Sequence, residues 1–520
     1  MKRNQEILVK SLHSPAFYPH PVERVKLVET HISFIFLAGN YAYKLKKPVN
    51  FGFLNYSTLE QRRHFCAEEL RLNRRFAPEL YLDVVSIGNT PAEPILNGLP
   101  AIDYMVRMHR FPPQDELDQM LVEERLTAQI MEQFAEYLAS CHQHAPEVTT
   151  NSRFGTAAAI HQPEMENFSQ IRPLLDDPRH QAQLDRLEAW TETTHERLRD
   201  QLEERKTTGF IRECHGDVHL ANMLWHQGKP RLFDCIEFND NLRCIDPVCD
   251  YAFLLMDLAD RGTKELGGYF LNRYLQQSGD FSGLALLNYY CCYRAMVRAK
   301  VFCLRLQQSG VSEEERQRDA QLLESYLKLA EDYSSDRPQA LIICHGFSAS
   351  GKSTCVRQLA PRLDAISINS DIERKRLFGF TATAKSHSAP AGGIYTQQAN
   401  EKTYSCLLEQ TARIIEAGFP AIIDATFLRQ SRRQQAEALA ESLRVPFIIL
   451  DFPLPEVELF RRVEQRSQQN GKISEADATV LSQQLAKNQP LSDREQIKCI
   501  KVLSESSLDE IAGRIAKLAR

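Results

Sequence analysis

Asp217, Asp234, Asn222, His215 and His219 stand at fixed spacing within the run Cys214 to Phe238, which opens Cys214-His215-Gly216-Asp217-Val218-His219-Leu220-Ala221-Asn222. Asn222 follows Asp217 by five residues, and a second acid, Asp234, stands at the end of the apolar run Leu232-Phe233. Phosphoryl transfer from Mg-ATP to a hydroxyl requires groups of this kind. One carboxylate accepts the hydroxyl's proton, while an amide and a second carboxylate hold the metal that bridges the phosphates. A second stretch offers phosphate chemistry of another type: Gly346-Phe347-Ser348-Ala349-Ser350-Gly351-Lys352-Ser353-Thr354 fits Gly-x4-Gly-Lys-Ser. In that pattern the glycines let backbone N–H groups wrap a β-phosphate, Lys352 neutralises the β/γ charge and Ser353 ligates magnesium. Gly346, Ser350, Gly351, Lys352, Ser353 and Thr354 are therefore nucleotide-binding candidates.

The elements around the second stretch follow from pattern. Ala340-Leu341-Ile342-Ile343-Cys344 reads as a strand and Val356 to Leu363 as a helix, which is the context a phosphate loop needs. A strand over Ala365 to Asn369 leads into Ser370-Asp371-Ile372-Glu373-Arg374, and another over Ala421 to Ile423 ends in Asp424-Ala425-Thr426. Acids at strand C-termini face the ligand crevice of a parallel sheet, and Asp424 suits a water-mediated magnesium contact. Arg374 follows Asp371 by about one helical turn and is expected to clamp an anion. Arg461, Arg462 and Arg466 share one helix, with 462 and 466 one turn apart. The Gly- and Ser/Thr-bearing segment Phe378 to Tyr404 is expected to line an acceptor pocket.

The stretch around Asp217 resembles the catalytic and metal-binding loops of the aminoglycoside phosphotransferase family, which has a protein-kinase-like fold and writes its loop His-Gly-Asp-x-His-x-x-Asn. The resemblance implies Asp217 as base, Asn222 and Asp234 as magnesium ligands, His215 and His219 as scaffolding, and Asp250 of Asp246-Pro247-Val248-Cys249-Asp250 as an anchor of the loop. The later half resembles the P-loop kinases that include polynucleotide kinase and zeta-toxin-like enzymes. That likeness implies Asp371 as the base or acceptor-orienting acid, Lys352 as a catalytic cation, Asp424 at the Walker B position, and Arg462 and Arg466 as a lid over the nucleotide. Together they imply ATP and Mg2+ as cofactors and a bifunctional phosphotransferase acting on hydroxyls of small molecules. The other readings are a C-terminal kinase of nucleic-acid 5′-hydroxyls, which is not favoured, and a half that binds nucleotide without turnover.

A kinase-like small lobe holds the α and β phosphates with a strand lysine, and the alternating sequence from His31 to Lys46 reads as a hairpin turning at Gly39-Asn40. Lys44 is the expected lysine; Lys46 shares its face, because strand side chains repeat every two residues, and stays an alternative. A helix from about Thr58 to Arg75, capped by Ser57 or Thr58, carries Glu68 and Glu69. Glu69 is the expected ion-pair partner of that lysine. A strand follows near Tyr81 to Ile87, and Ala101 to Met108 matches the position of the inter-lobe connection whose backbone would bind adenine. Residues 115 to 205 read as mostly helical, and Arg294, Arg298 and Lys300 on a later helix are expected to face either solvent, the favoured reading, or an anionic acceptor.

At 520 residues and 43% hydrophobic content the chain is too long for one core. The expected organisation is α+β and α/β: a bilobal kinase-like domain over 1–330 (small lobe about 1–108, large lobe about 109–330) and a P-loop parallel-sheet domain over 338–520. The polar stretch Glu331 to Pro338 marks the change. Net charge is −9 before Pro338 and +4 from there on, neither extreme enough to announce nucleic-acid binding. The 13 cysteines show no Cys-x-x-Cys pairs, so reduced thiols are expected rather than disulfides or zinc. His142 and His144 are read as belonging to a helix end. No apolar run reaches the roughly 18–20 residues of a membrane span, and a cytoplasmic protein is expected.

Overall fold

The computed structural model describes residues 2–52, 54–308, 312–382, 384, 392–467, 477–503 and 505–518. Two compact units emerge. One comprises 1–130, 140–165 and 199–257; the other comprises 131–139, 166–198 and 258–520.

The first unit is built on an antiparallel six-stranded sheet. Its strands are β1 (Val25–Glu29), β2 (Ser33–Ala38), β3 (Tyr41–Lys46), β4 (Tyr81–Asn89), β5 (Pro94–Leu96) and β6 (Ala101–His109), in the order β1-β2-β3-β6-β4-β5. Alternation along β3 divides its side chains between two faces. Tyr43 and Leu45 join Leu8, Leu12, Phe36, Val85, Ile87 and Met105 in one core. Lys44 and Lys46 take the opposite face. The N-terminal helix Lys2–Ser11 supplies Leu8, as its amphipathic sequence leads one to expect, and Leu12 follows just past its end.

The helix Leu59–Asn73 starts at a capping box: the Thr58 side chain accepts from the Gln61 N–H while Gln61 reaches back to the Thr58 N–H. It packs over Tyr81 and Val106 through Cys66. The remaining strands of this unit are two short pairs: β7 (Arg212–Glu213) with β10 (Cys244–Ile245), and the hairpin of β8 (Met223–His226) and β9 (Lys229–Leu232).

The second unit holds a five-stranded parallel sheet of β11 (Leu341–His345), β12 (Ile366–Asn369), β13 (Ala421–Asp424), β14 (Phe447–Asp451) and β15 (Cys499–Lys501), in the order β12-β13-β11-β14-β15. Ile342, Cys344, Ile422, Ile448, Leu450 and Ile500 meet Val356, Leu359, Ile511 and Ile515 of two helices on one face. The strands expected from sequence all form.

The residues before Pro338 are not confined to the first unit. Asn272, on the helix Lys264–Ser278, donates to Ala365 O at 3.0 Å and accepts from Ser367 N at 2.7 Å, which satisfies the backbone of the edge strand β12. A Cβ on Gly268 would lie 2.7 Å from Pro361 Cα, so this helix and Lys352–Arg362 meet at a distance only glycine permits. Arg294 corrects an expectation: it is buried, and Arg298 lies over Phe302 and Tyr326. Both sit on the helix Leu284–Leu306, which packs along Glu313–Ser334 and has little solvated face to offer.

Among the described residues no helix is long and apolar enough to cross a membrane, and every cysteine is a free thiol. The largest fully buried side chain is Arg433. It pairs with Glu495 at 2.6 Å and donates to the carbonyls of Phe427, Gln489 and Pro490. Breaking a buried pair strands its partner, so Arg433→Met is expected to destabilise this unit by about 3–5 kcal/mol, read from urea unfolding followed by circular dichroism.

Candidate active sites

The loop after β7 is shaped by one carboxylate. Asp250 accepts from His215 N at 3.0 Å and from Gly216 N at 2.8 Å, and the His142 ring nitrogen Nε2 lies 3.1 Å from it. Burial pushes the Asp250 carboxyl up, but the hydrogen bond and charge of His142, with His215, hold it below the usual range. Gly216 has φ +87°, and a Cβ there would stand 2.6 Å from Leu242 O, so a side chain would break the turn. Burial drives His215 toward its neutral form. Its Nε2 donates to Phe233 O at 2.9 Å and its Nδ1 accepts from Asp217 N at 3.3 Å.

Asp217, His219 and Asn222 come together on this frame. Asn222 Nδ2 donates to Asp217 Oδ2 at 2.9 Å and to Asp217 O at 3.0 Å, and His219 Nε2 lies 3.4 Å from Asp217 Oδ2. The Asn222 backbone carbonyl accepts from Phe233 N at 3.1 Å, which ties this loop to the residue preceding Asp234. Asp234 adopts φ +62°, its N–H donates to the Tyr81 hydroxyl, and its side chain remains 46% exposed.

Lys44 and Lys46 share one acid. Lys44 Nζ lies 2.9 Å from Glu69 Oε1 and also pairs with Asp234; Lys46 Nζ lies 2.6 Å from Glu69 Oε2 and also pairs with Glu237, which accepts from the Tyr56 hydroxyl. Burial alone would pull both ammonium groups down, but Asp234 and Glu69 around Lys44, and Glu237 and Glu69 around Lys46, hold them above the lysine range. Burial likewise opposes ionisation of Glu69, yet the two lysines bring it to about 2. Glu68 turns outward to Arg71 at 2.8 Å. Glu237, Tyr56 and His142 escaped the sequence reading: each is joined to its partner across a long stretch of chain, and no local motif marks it.

In the second unit the run Gly346 to Gly351 links β11 to the helix Lys352–Arg362. Gly346, Ala349 and Gly351 have positive φ, and a Cβ on Gly346 would sit 3.1 Å from the Phe452 carbonyl oxygen. Lys352 Nζ is folded back onto Gly346 O at 3.0 Å and Phe347 O at 2.6 Å. Ser350 is buried, whereas Ser353 and Thr354 are exposed in the helix's first turn. Asp424 is buried at the end of β13 and accepts from Asn369 Nδ2 at 2.6 Å; Asn369 Oδ1 caps the next helix through the N–H of Asp371 at 3.0 Å.

Arg374 differs from its expectation of clamping an anion. It is buried, with Nη1 on Asn400 Oδ1 at 2.5 Å and its guanidinium over Tyr395. Arg462 pairs with Glu458 at 2.7 Å, and its Nη1 is 3.9 Å from where a Cβ on Gly351 would lie. Arg466 belongs to the same helix, Glu456–Ser467, but its side chain lies outside the described residues, as do residues 383 and 385–391 of the expected acceptor-pocket loop.

Because Glu69 stays ionised to about 2, the folded chain binds this proton less tightly than the unfolded chain does. Its stabilisation is full above the ordinary glutamate value near about 4.3 and is lost as pH falls toward the folded one. Glu69→Gln is expected to flatten that acid limb, measured as the pH dependence of the urea midpoint. Lys46→Met, which leaves Glu237 without its cation, is expected to cost about 3–5 kcal/mol of stability, measured the same way at neutral pH.

Residues 63–287 match the family model described as "Phosphotransferase enzyme family", and residues 341–491 match an "AAA domain" model. "Uncharacterized protein Rv2004c" of Mycobacterium tuberculosis is 30% identical over 427 residues, covering 81% of this chain and 82% of that protein, and Mycobacterium bovis has a relative with the same figures. Among solved structures, the amicoumacin kinase hAmiN is 14% identical, with a TM-score of 0.40, over 62% of this chain and 93% of its own. A gluconokinase from Sinorhizobium meliloti is 18% identical, with a TM-score of 0.25, over 36% and 95% respectively. At those scores neither likeness bears on the activity. The chain belongs to the family of its mycobacterial relatives, joining a phosphotransferase-family domain to a P-loop domain, and is a kinase.

Proposed function

We propose that the chain is a bifunctional phosphotransferase in which each half moves the γ-phosphoryl of Mg-ATP to a hydroxyl of a small molecule. The observation that supports this reading is that one polypeptide carries two separate arrangements of the kind that phosphates and magnesium use: Lys44, Glu69 and Asp234, with Asp217 and Asn222, in one unit, and the loop before Lys352 in the other. In chain order the first enzyme is taken as 1–330 and the second as 338–520.

In the first enzyme, Asp217 is assigned to accept the acceptor hydroxyl's proton, a role supported by the hold of Asn222 Nδ2 and His219 on one of its oxygens. The Asn222 amide, its nitrogen committed to Asp217, presents its oxygen, and Asp234 presents a half-exposed carboxylate. These are hard oxygen donors, which suit Mg2+. Bound there, the ion would neutralise charge developing between the β and γ phosphates. Lys44, the less buried of the paired lysines and the one touching Asp234, is the cation assigned to the phosphates. Lys46 is assigned to holding Glu69 and Glu237.

In the second enzyme, the backbone N–H groups from Ser350 to Thr354 would receive the β-phosphate at a helix N-terminus. Lys352 would exchange its two carbonyl partners for phosphate oxygens, with Ser353 and Asp424 on the metal side. Asp371 would orient the acceptor, and Arg462 with Arg466 would cover the transferring group.

A pool of hydroxylated metabolites and a 5′-hydroxyl oligonucleotide are offered with ATP to the full chain. Asp217→Ala is expected to abolish one set of phosphorylated products, with a rate loss of about 10²–10⁴-fold, and to leave the other; Lys352→Ala is expected to do the reverse. Product from either half that survives loss of its own residue overturns the role given to that residue. Phosphate on the oligonucleotide alone would overturn the small-molecule acceptor for the second enzyme.

A further inference from the structure

Gln484 has no part in the chemistry above, yet its side chain grips the phosphate loop with both ends of its amide. Oε1 accepts from the Ser348 N–H at 2.9 Å, and Nε2 donates to Ser348 Oγ at 2.9 Å. The glutamine sits midway along the helix Ala478–Lys487, whose start is capped by Asp477 through the Val480 N–H at 2.8 Å. A primary amide offers one donor and one acceptor in a fixed plane, and a serine offers its own N–H and hydroxyl in return. Two bonds made together fix orientation as well as distance, where a single bond would leave the loop free to turn.

Apolar contacts make the same connection independently. Ala349, next to Ser348, is buried with Leu459 and Val463 of the arginine-bearing helix and with Leu481 of the glutamine's helix; Phe347, Phe460 and Leu485 pack against them. The loop tip is thus the surface on which both helices rest. Ala349 has φ +67°, a conformation an alanine keeps only where its surroundings enforce it. Arg462, one residue before Val463, has its Nη1 close to Gly351, at the end of the loop where β and γ phosphates would arrive. A shift of Ser348 would be carried by Gln484 into the helix pair, and so into the reach of Arg462.

We propose that Gln484 is a positioning residue for nucleotide phosphates: it locks the loop around Ser348 in its binding shape and seats the helix that brings Arg462 over Gly351. The inference rests on the phosphate-loop reading given under the proposed function. It adds a protein group that touches neither phosphate nor metal and acts through the loop.

ATP with magnesium is titrated calorimetrically into the full chain, and Lys352→Ala identifies the share of binding that belongs to the phosphate loop. Gln484→Ala is expected to weaken that share about tenfold, with an unchanged melting curve. Combined with Arg462→Ala it is expected to lose no more than the larger single variant, since both act through one unit. Should Gln484→Ala disturb its own helix, Gln484→Met keeps the side-chain length and helix propensity, gives up both bonds to Ser348, and is expected to weaken binding in the same direction. Wild-type affinity in the glutamine variants, or additive losses in the double variant, overturns the inference. If Lys352→Ala itself binds as the wild type does, the phosphate-loop reading beneath it falls instead.

Discussion

Placing charged side chains inside a protein is costly unless each meets its opposite, and the first unit is organised by that constraint. Lys44, Lys46, Glu69 and Glu237 are buried, and with Asp234 they alternate in sign from one contact to the next. Three elements must be right for this to hold: β3 in register, the helix Leu59–Asn73 docked with Glu69 inward, and the stretch Asp234 to Glu237 folded. A one-residue slip of β3 would bring Tyr43 and Leu45 to this face and leave both acids without cations. Docking of the helix and folding of the stretch Asp234 to Glu237 are therefore coupled, because neither leaves its charges neutral without the other.

In the second unit the loop between β11 and the helix Lys352–Arg362 poses a conformational demand rather than an electrostatic one. Gly346 and Gly351 supply positive-φ backbone, and a Cβ on the first would stand only 3.1 Å from Phe452. Lys352 rests on two carbonyls of its own loop. The polar residues at the strand ends pair among themselves, Asn369 with Asp424 at 2.6 Å and His345 with Asp451 at 2.7 Å.

The candidate residues are legible in the sequence because their spacing is local. Asp217 and Asn222 lie within one short loop, and Gly346 to Ser353 is a contiguous motif between a strand and a helix. What remained open was decided by partners distant in sequence. The two-residue period of β3 places Lys44 and Lys46 on one face, and only the arrival of Glu237 makes the second lysine the internal one. Arg294 was misjudged because a charged helix does not declare which of its faces another helix will cover. Arg374 has a neighbouring acid that suggested an anion clamp, but Asn400, a turn and a loop away, claims its guanidinium. Gln484 carries no motif at all.

The bond between Asn272 and β12 bears on how the chain can be divided. β12 is the rim of its sheet, and the residue that occupies its free backbone groups lies 66 positions ahead of Pro338. A fragment cut at the compositional break would carry a bare parallel strand, with the tight seat of Gly268 on Pro361 lost as well. Such uncovered rims recruit other chains. The P-loop domain is consequently an autonomous piece only if it brings its upstream helices along, and in this sense the compositional border near Pro338 and the physical one are different places.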